Sequence, residues 1–317
     1  MSRFSPADVA LEGFRITRER PLAVLAWIGL RLIYGCGVLL LIYGGDRGAA
    51  FTKMMALSQG QPDPAALMPL MAKLAPLFTL VLALTLVFYA VVYTAVLRSV
   101  LRPADRAYAY LRLSMDEVRQ FALAVIIFVA ISIYAFVLSL VSQLLIMAAG
   151  ALGPAAVLVQ MLVILALVGG FLYPAVRLSL APAMTFVEGR IVLFRSLPVT
   201  DKQFTPMLGA YVLAGLLTLV VGLLAAVVFV FVVGAIGAAQ GGLSNLPALF
   251  GVTQPDAMTV ASFLTPIGVA KLAFNALLST LVYIILFAPA AAIFRDLTGR
   301  AGAPAAAAVG KPSQPWG

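Results

Sequence analysis

The chain has no histidine, a single cysteine (Cys36), and charges on only 10% of its residues. Each scarcity removes a class of chemistry. Without histidine there is no Ser–His or Cys–His couple for nucleophilic catalysis, and no imidazole to ligate haem or zinc. One cysteine excludes an intramolecular disulfide and any cysteine-rich metal site. Acidic residues number 12 in 317, lie outside the apolar runs and, save for the adjacent Asp116 and Glu117, are well apart in sequence, so no catalytic carboxylate pair stands out. No G-x-S-x-G, Walker A, HExxH or EF-hand sequence occurs either. The chain therefore reads as a non-enzyme with no catalytic residues, no metal and no cofactor, the alternative being a membrane-embedded enzyme acting at the headgroup level. The low charge also bears on fold, because soluble domains carry about 25% charged residues. A soluble fold of this length could not cover itself with so few.

What is present is apolar: 63% of residues are hydrophobic and the mean hydropathy is +1.08. Six runs, at about 21–43, 74–97, 121–149, 155–183, 206–238 and 266–294, are each long enough to cross the ~30 Å hydrocarbon layer, which takes about 20 residues. The expected fold is all-α, a polytopic transmembrane bundle of six spans with short amphipathic surface helices on the cytoplasmic side. Residues 1–20 form a lead-in, 21–294 the membrane domain and 295–317 a disordered tail rich in alanine, glycine and proline. In the lead-in, Ser5, Pro6 and Asp8 take the N-cap, N1 and N3 places of a helix start. Ala7, Ala10, Leu11 and Phe14 then make one apolar face, opposite Asp8, Glu12, Arg15, Arg18 and Glu19, which predicts a helix lying on the membrane surface. Ser114 to Glu117 is a second capping box, starting span three. Residues 44–73 are a polar, mixed connection, with a turn at 60–64.

The net charge of +9 has a topological explanation. Sixteen of the 21 Lys and Arg residues fall in the N-terminus, the 98–119 loop, the 177–202 region and the tail, all on one side of a six-span chain. By the positive-inside rule that side is cytoplasmic, and so are both termini. Nucleic acid is not needed as a partner. The partners expected are the bilayer itself, anionic phospholipid headgroups at the cytoplasmic face, and a protein partner or a second copy of the chain.

Several polar residues inside or beside the spans are candidates for sites. Arg31 lies ten residues into span one, about 15 Å along a helix, where an arginine costs about 2.5–3.5 kcal/mol to insert. No span core holds a carboxylate to pair with it. Tyr89 and Tyr93, one turn apart in span two, offer it ring faces or hydroxyls. With Arg177 these residues form the candidate site for an anionic lipid or ligand. Gln143 and Gln160 flank the 150–154 link symmetrically and predict a hydrogen bond between spans three and four. Ser132, Ser139, Ser142 and Gln143 make one polar stripe, and Asn275, Ser279 and Tyr283 make another on span six. Glu188 is placed to meet Arg190, Arg195 or a basic residue of the 98–119 loop in a clasp at the rim. It can meet Arg177 only if the chain turns near Pro182.

The stretch VRLSLAPAMTFVEG (176–189), followed by Arg195-Ser196, Thr200 and Phe204, resembles a family of bacterial six-span membrane proteins. That family includes the membrane domain fused to some glycerophosphodiester phosphodiesterases. The N-terminal SPADVALEGFRITRERP fits the same layout, so the resemblance runs over about residues 5–295. It implies a surface helix leading into six spans in a bacterial inner membrane. The phosphodiesterase's soluble barrel is absent here, and no catalytic role carries over. Leu197-Pro198-Val199 stands where the family has a charged and aromatic lead into span five. The function expected is a non-catalytic inner-membrane protein that binds or organises envelope lipids or a partner protein. The alternative is a transporter or permease for a lipid-like or small amphiphilic solute.

Overall fold

The computed structural model describes residues 4–59, 63–150, 153, 156–201, 203–239 and 259–299. These are mostly helical, with no strand among the described residues. In chain order the helices are α1 (Pro6–Ala10), α2 (Glu12–Glu19), α3 (Pro21–Tyr43), α4 (Asp46–Gln59), α5 (Pro64–Leu101), α6 (Met115–Ala149) and α7 (Ala156–Leu178). They continue as α8 (Ala181–Glu188), α9 (Ser196–Thr200), α10 (Phe204–Ala239), α11 (Val260–Phe263) and α12 (Pro266–Thr298). Six are long and apolar enough to cross a membrane, and the protein is an all-α, multi-pass membrane bundle. Of the expected disordered tail, residues 295–298 are instead the helical end of α12, while 300–317, the 60–62 part of the expected turn and most of the 150–154 link lie outside the described residues.

Burial separates the spans. Over their most apolar windows α5 and α12 are 44% and 56% buried, whereas the other four spans are only 6–11% buried. Side chains on those four face lipid, so a nearly continuous apolar sequence suits every face of them. The chain divides into two compact units. One comprises 1–12, 89–214 and 287–317, the other 13–88 and 215–286.

In the second unit, the connection between spans one and two is not loop-like. Residues 46–59 form α4, which packs on α3, and Asp63 caps the start of α5 by accepting a hydrogen bond from the Ala65 amide. Ala50, Leu74 and Leu77 are buried there against Leu41, Phe51 and Met54. The polar residues that marked 44–73 as a connection lie on a helix whose apolar residues still find a core.

In the first unit, α6 opens on the expected capping box. The Asp116 amide donates to Ser114 Oγ, while the Ser114 amide donates to Glu117 Oε2 at 2.9 Å. Span four, expected over 155–183, is interrupted within that range. After α7 ends at Leu178, a turn at Ser179–Leu180 restarts the chain as α8, with Pro182 in its first turn. Gly189, at φ 66° and ψ 22°, ends α8 in the left-handed conformation that glycine adopts without strain.

The lead-in differs from the expected surface helix. Ser5 does cap it, but the helix breaks at Leu11, which puts α2 out of phase with α1. The buried face is Val9, Ala10, Glu12, Gly13 and Ile16, and Ala7 and Leu11 are exposed. Glu12, expected on the polar side, is buried and pairs with Arg295 at 3.3 Å. A Cβ on Gly13 would stand 2.7 Å from Ile285 Cα, so α2 meets the backbone of α12 directly. This helix docks on protein, and its buried face answers to α12 rather than to lipid.

Candidate functional site

The most unusual side chain in the second unit is Arg31. Helix α3 has little amphipathic pattern, and its position in the span is set by Pro21 at its start and Gly44 after its end. Arg31 Nε donates to Ser279 Oγ at 3.1 Å, and Ser279 in turn donates to the Asn275 carbonyl. The guanidinium carbon lies 5.0 Å from the ring centroid of Phe88, 5.1 Å from Tyr283 and 5.5 Å from Tyr34. Tyr34 stacks on Phe88 at 4.4 Å and shares a 2.6 Å hydrogen bond with Thr85, so two of the three rings are held in place.

Every one of these partners is neutral. Three cation–π contacts at about 0.5–2 kcal/mol each offset the cost of placing the charge in the span, but they do not cancel the charge. No carboxylate contacts Arg31 among the described residues, and its terminal amino groups have no acceptor there. Arg31 lines a cleft of about 140 Å³ together with Tyr34, Gly35, Tyr43 and Asn275.

Tyr89 and Tyr93 belong to the first unit, where both lean on Phe287, at 5.4 and 4.6 Å. Within the second unit the rings that meet Arg31 come from residues 34, 88 and 283. The polar stripe Asn275, Ser279 and Tyr283 is visible in the sequence on its own, and the structure brings it onto Arg31.

The other candidate residues lie in the first unit. Arg177 sits over the Tyr173 ring at 5.7 Å and pairs with Asp201 at 2.7 Å, so its charge is matched. Glu188 meets Arg190 at 2.9 Å and Arg195 at 2.8 Å, which is the expected clasp. Although the chain turns before Pro182, Arg177 takes Asp201 and not Glu188.

Gln143 and Gln160 are both exposed and hydrogen-bond to nothing among the described residues. Helices α6 and α7 do contact one another, and between them Leu138, Ser142, Leu145, Val159, Val163 and Ala166 line an apolar cleft of about 310 Å³. Each glutamine is one residue, about 100° of helix rotation, from a residue of that lining. The inter-span polar contact is instead Tyr134 Oη donating to the Gly170 carbonyl at 2.9 Å. Ser132 and Ser139 are exposed too, and the hydroxyls of Ser139 and Ser142 bond to carbonyls of their own helix. Of that stripe only Ser142 is buried.

One buried polar cluster escapes the sequence reading altogether. In the 98–119 segment, Arg98 is 2% exposed and donates to Glu117 Oε1 at 2.7 Å and to the Tyr110 carbonyl at 2.6 Å. Arg102 bonds Asp116 at 3.0 Å and lies over the Phe186 ring at 4.2 Å. Gln120 donates to the Pro182 carbonyl at 2.7 Å. These groups tie the ends of α5, α6 and α8 together. Their signal is the mixture of Arg98, Arg102, Asp116, Glu117 and Arg119, opposite charges within one short segment that a count of basic residues passes over.

Comparison of the chain with protein-family models, with curated proteins and with solved structures found no match. The class the fold and these sites define is a six-span α-helical membrane protein. Its most exceptional intramembrane feature is an arginine held by neutral groups.

Proposed function

We propose that this protein is a non-catalytic, multi-pass protein of a bacterial inner membrane that binds an anionic lipid through Arg31. The observation that carries the reading is a guanidinium at mid-span with only neutral partners among the described residues, on the wall of a cleft. An intramembrane cation without a counter-charge is costly. A lipid phosphate or carboxylate supplies that charge, together with oxygens for the unused N–H groups. Asn275 at the cleft wall adds a neutral polar group for the rest of a headgroup. The distribution of Lys and Arg supports an orientation with both termini cytoplasmic.

The test is native mass spectrometry of the protein released gently from its membrane, wild type beside Arg31→Leu. The wild type is expected to retain an anionic lipid that the variant loses, with both eluting as folded species. Equal lipid retention by the two proteins would end the proposal. Transport of an amphiphilic solute through the same cleft is the alternative. It predicts solute counterflow in liposomes that Arg31→Leu abolishes.

A further inference from the structure

We propose that the Gly189 turn carries a second, separate anion site, a clamp for the phosphate of an anionic glycerophospholipid, formed by Arg190 and Arg195. Two guanidiniums converge there on one carboxylate oxygen. Glu188 Oε2 accepts from Arg190 Nε at 3.0 Å and from one terminal amino group of Arg195 at 2.8 Å. The side chains of Arg190 and Arg195 are nevertheless 66% and 60% exposed, while that of Glu188 is only 18% exposed. The carboxylate thus holds the two forks from beneath and leaves most of their N–H donors facing outward. Guanidinium forks suit phosphate oxygens because they can donate two parallel hydrogen bonds each.

The frame under them is fixed. Thr185 Oγ1 accepts from the Val192 amide at 3.1 Å, closing the turn back onto α8, whose residues 181–186 are buried. Gly189 occupies the left-handed region, and a Cβ there would lie 3.9 Å from an Arg119 amino group. Arg119 therefore stands beside the same turn. Around it, Arg98, Arg102, Arg119, Arg190 and Arg195 face the carboxylates Asp116, Glu117 and Glu188, which leaves two positive charges in excess.

The occupant is a lipid rather than a soluble phosphate because of what flanks the clamp. Phe194 is 71% exposed and Ile191 45% exposed, and both alternate with the arginines on the same short segment. That segment joins the end of one span, through α8, to the start of the next. Apolar side chains interleaved with arginines at the end of a span match an acyl-chain and headgroup boundary. A water-soluble anion would gain nothing from Phe194.

The proposal does not rest on the Arg31 cleft, and the experiment separates them. In an Arg31→Leu background, short-chain phosphatidylglycerol and phosphatidylcholine are titrated into the detergent-solubilised protein and counted by native mass spectrometry. Phosphatidylglycerol is expected to bind in preference. Arg190→Gln with Arg195→Gln is expected to lower that preference about thirtyfold, since each basic residue near an anionic surface contributes roughly fivefold. Phe194→Ser should weaken both lipids. An unchanged preference in the double variant overturns the proposal. So does inorganic phosphate competing equally well in wild type and Phe194→Ser, which would make the site one for a soluble anion. If the double variant is not recovered folded, the single variants Arg190→Gln and Arg195→Gln decide. Each must lower the preference roughly fivefold, and an unchanged preference in both overturns the clamp.

Discussion

Replacing Arg98 with methionine tests whether the buried charge cluster is what fastens the helix ends. Methionine keeps most of the length and apolar stem and removes a distant cation–π contact with Phe186 at 5.9 Å and three polar interactions. These are the 2.7 Å pair with Glu117, the 2.6 Å bond to the Tyr110 carbonyl and the longer 3.8 Å approach to Asp116. Asp116 retains Arg102 and Arg119, so it is not orphaned. Glu117 is. It is 5% exposed, and while Ser114 still donates to Oε2, Oε1 loses its cation. Removing one partner from a buried pair costs about 3–5 kcal/mol, most of it from the charge left behind. Because Ser114 still solvates half of the carboxylate, the lower end, about 3 kcal/mol, applies. At about 2–4 °C per kcal/mol for chains of some 150–250 residues, the midpoint should fall by roughly 6–12 °C. The assay is the fraction remaining monodisperse by size-exclusion chromatography after heating in detergent. Adding Glu117→Gln to Arg98→Met should recover part of the loss, because the orphaned charge goes while the capping geometry stays. The comparison is Arg190→Gln, whose exposed pair is worth about 0–1 kcal/mol and should shift the midpoint far less. A midpoint for Arg98→Met equal to that of Arg190→Gln would refute the reasoning, since burial would then not be what gives the Arg98 pair its weight.

Two further substitutions probe backbone geometry. Tyr108, Ala109 and Tyr110 take three successive positive φ values, 51°, 57° and 65°, a left-handed turn with no glycine in it. Ala109→Gly relieves the steric cost of one such residue, about 1–2 kcal/mol, less the extra chain entropy of glycine, and should raise the thermal midpoint by a few degrees. A lowered midpoint would contradict that turn. At the lead-in, Gly13→Val forces a side chain to within 2.7 Å of the α12 backbone. Overpacking there should cost about 1–3 kcal/mol and expose the N-terminal helix to proteolysis, read as earlier cleavage ahead of Pro21. A protection pattern unchanged from wild type would mean that α2 does not depend on that contact.

Features that depend on a few neighbouring residues were legible in the sequence. The Ser114–Glu117 box is set by a three-residue spacing, and Glu188 with Arg190 and Arg195 by a seven-residue span that ends a helix. The six spans follow from length and hydropathy alone. Rotation about each helix axis was not legible. In water, the polar face of a helix identifies the buried one. Here α6 and α10 are apolar all round, so nothing in their pattern shows which residues meet a neighbour. That is why Gln143 and Gln160 pointed to a contact they do not make, and why the rings on Arg31 came from residues 34, 88 and 283. The lead-in departs from expectation for a different reason. A break at Leu11 changes the helix phase, and no proline or glycine marks that position.

The arginines of this chain can be sorted by what neutralises them, and the sorting separates scaffold from site. Arg98 is buried among carboxylates and a carbonyl, and all of its surroundings are spent on holding it. Arg177 is matched by Asp201 alone. Arg190 and Arg195 share a single oxygen of Glu188, so the carboxylate positions them without using up their donors. Arg31 has no counter-charge among the described residues, only a hydroxyl and three rings. A structural arginine inside a membrane is stabilised by completing its charge and hydrogen bonds within the fold, since each unmet donor costs free energy where water is scarce. The incompleteness of Arg31 and of the Arg190–Arg195 pair is therefore a cost the isolated chain carries and an anion removes. If both are binding sites, stripping lipid should destabilise the wild type more than it destabilises the protein in which Arg31, Arg190 and Arg195 are all neutral. Equal loss on delipidation would make all three arginines part of the scaffold.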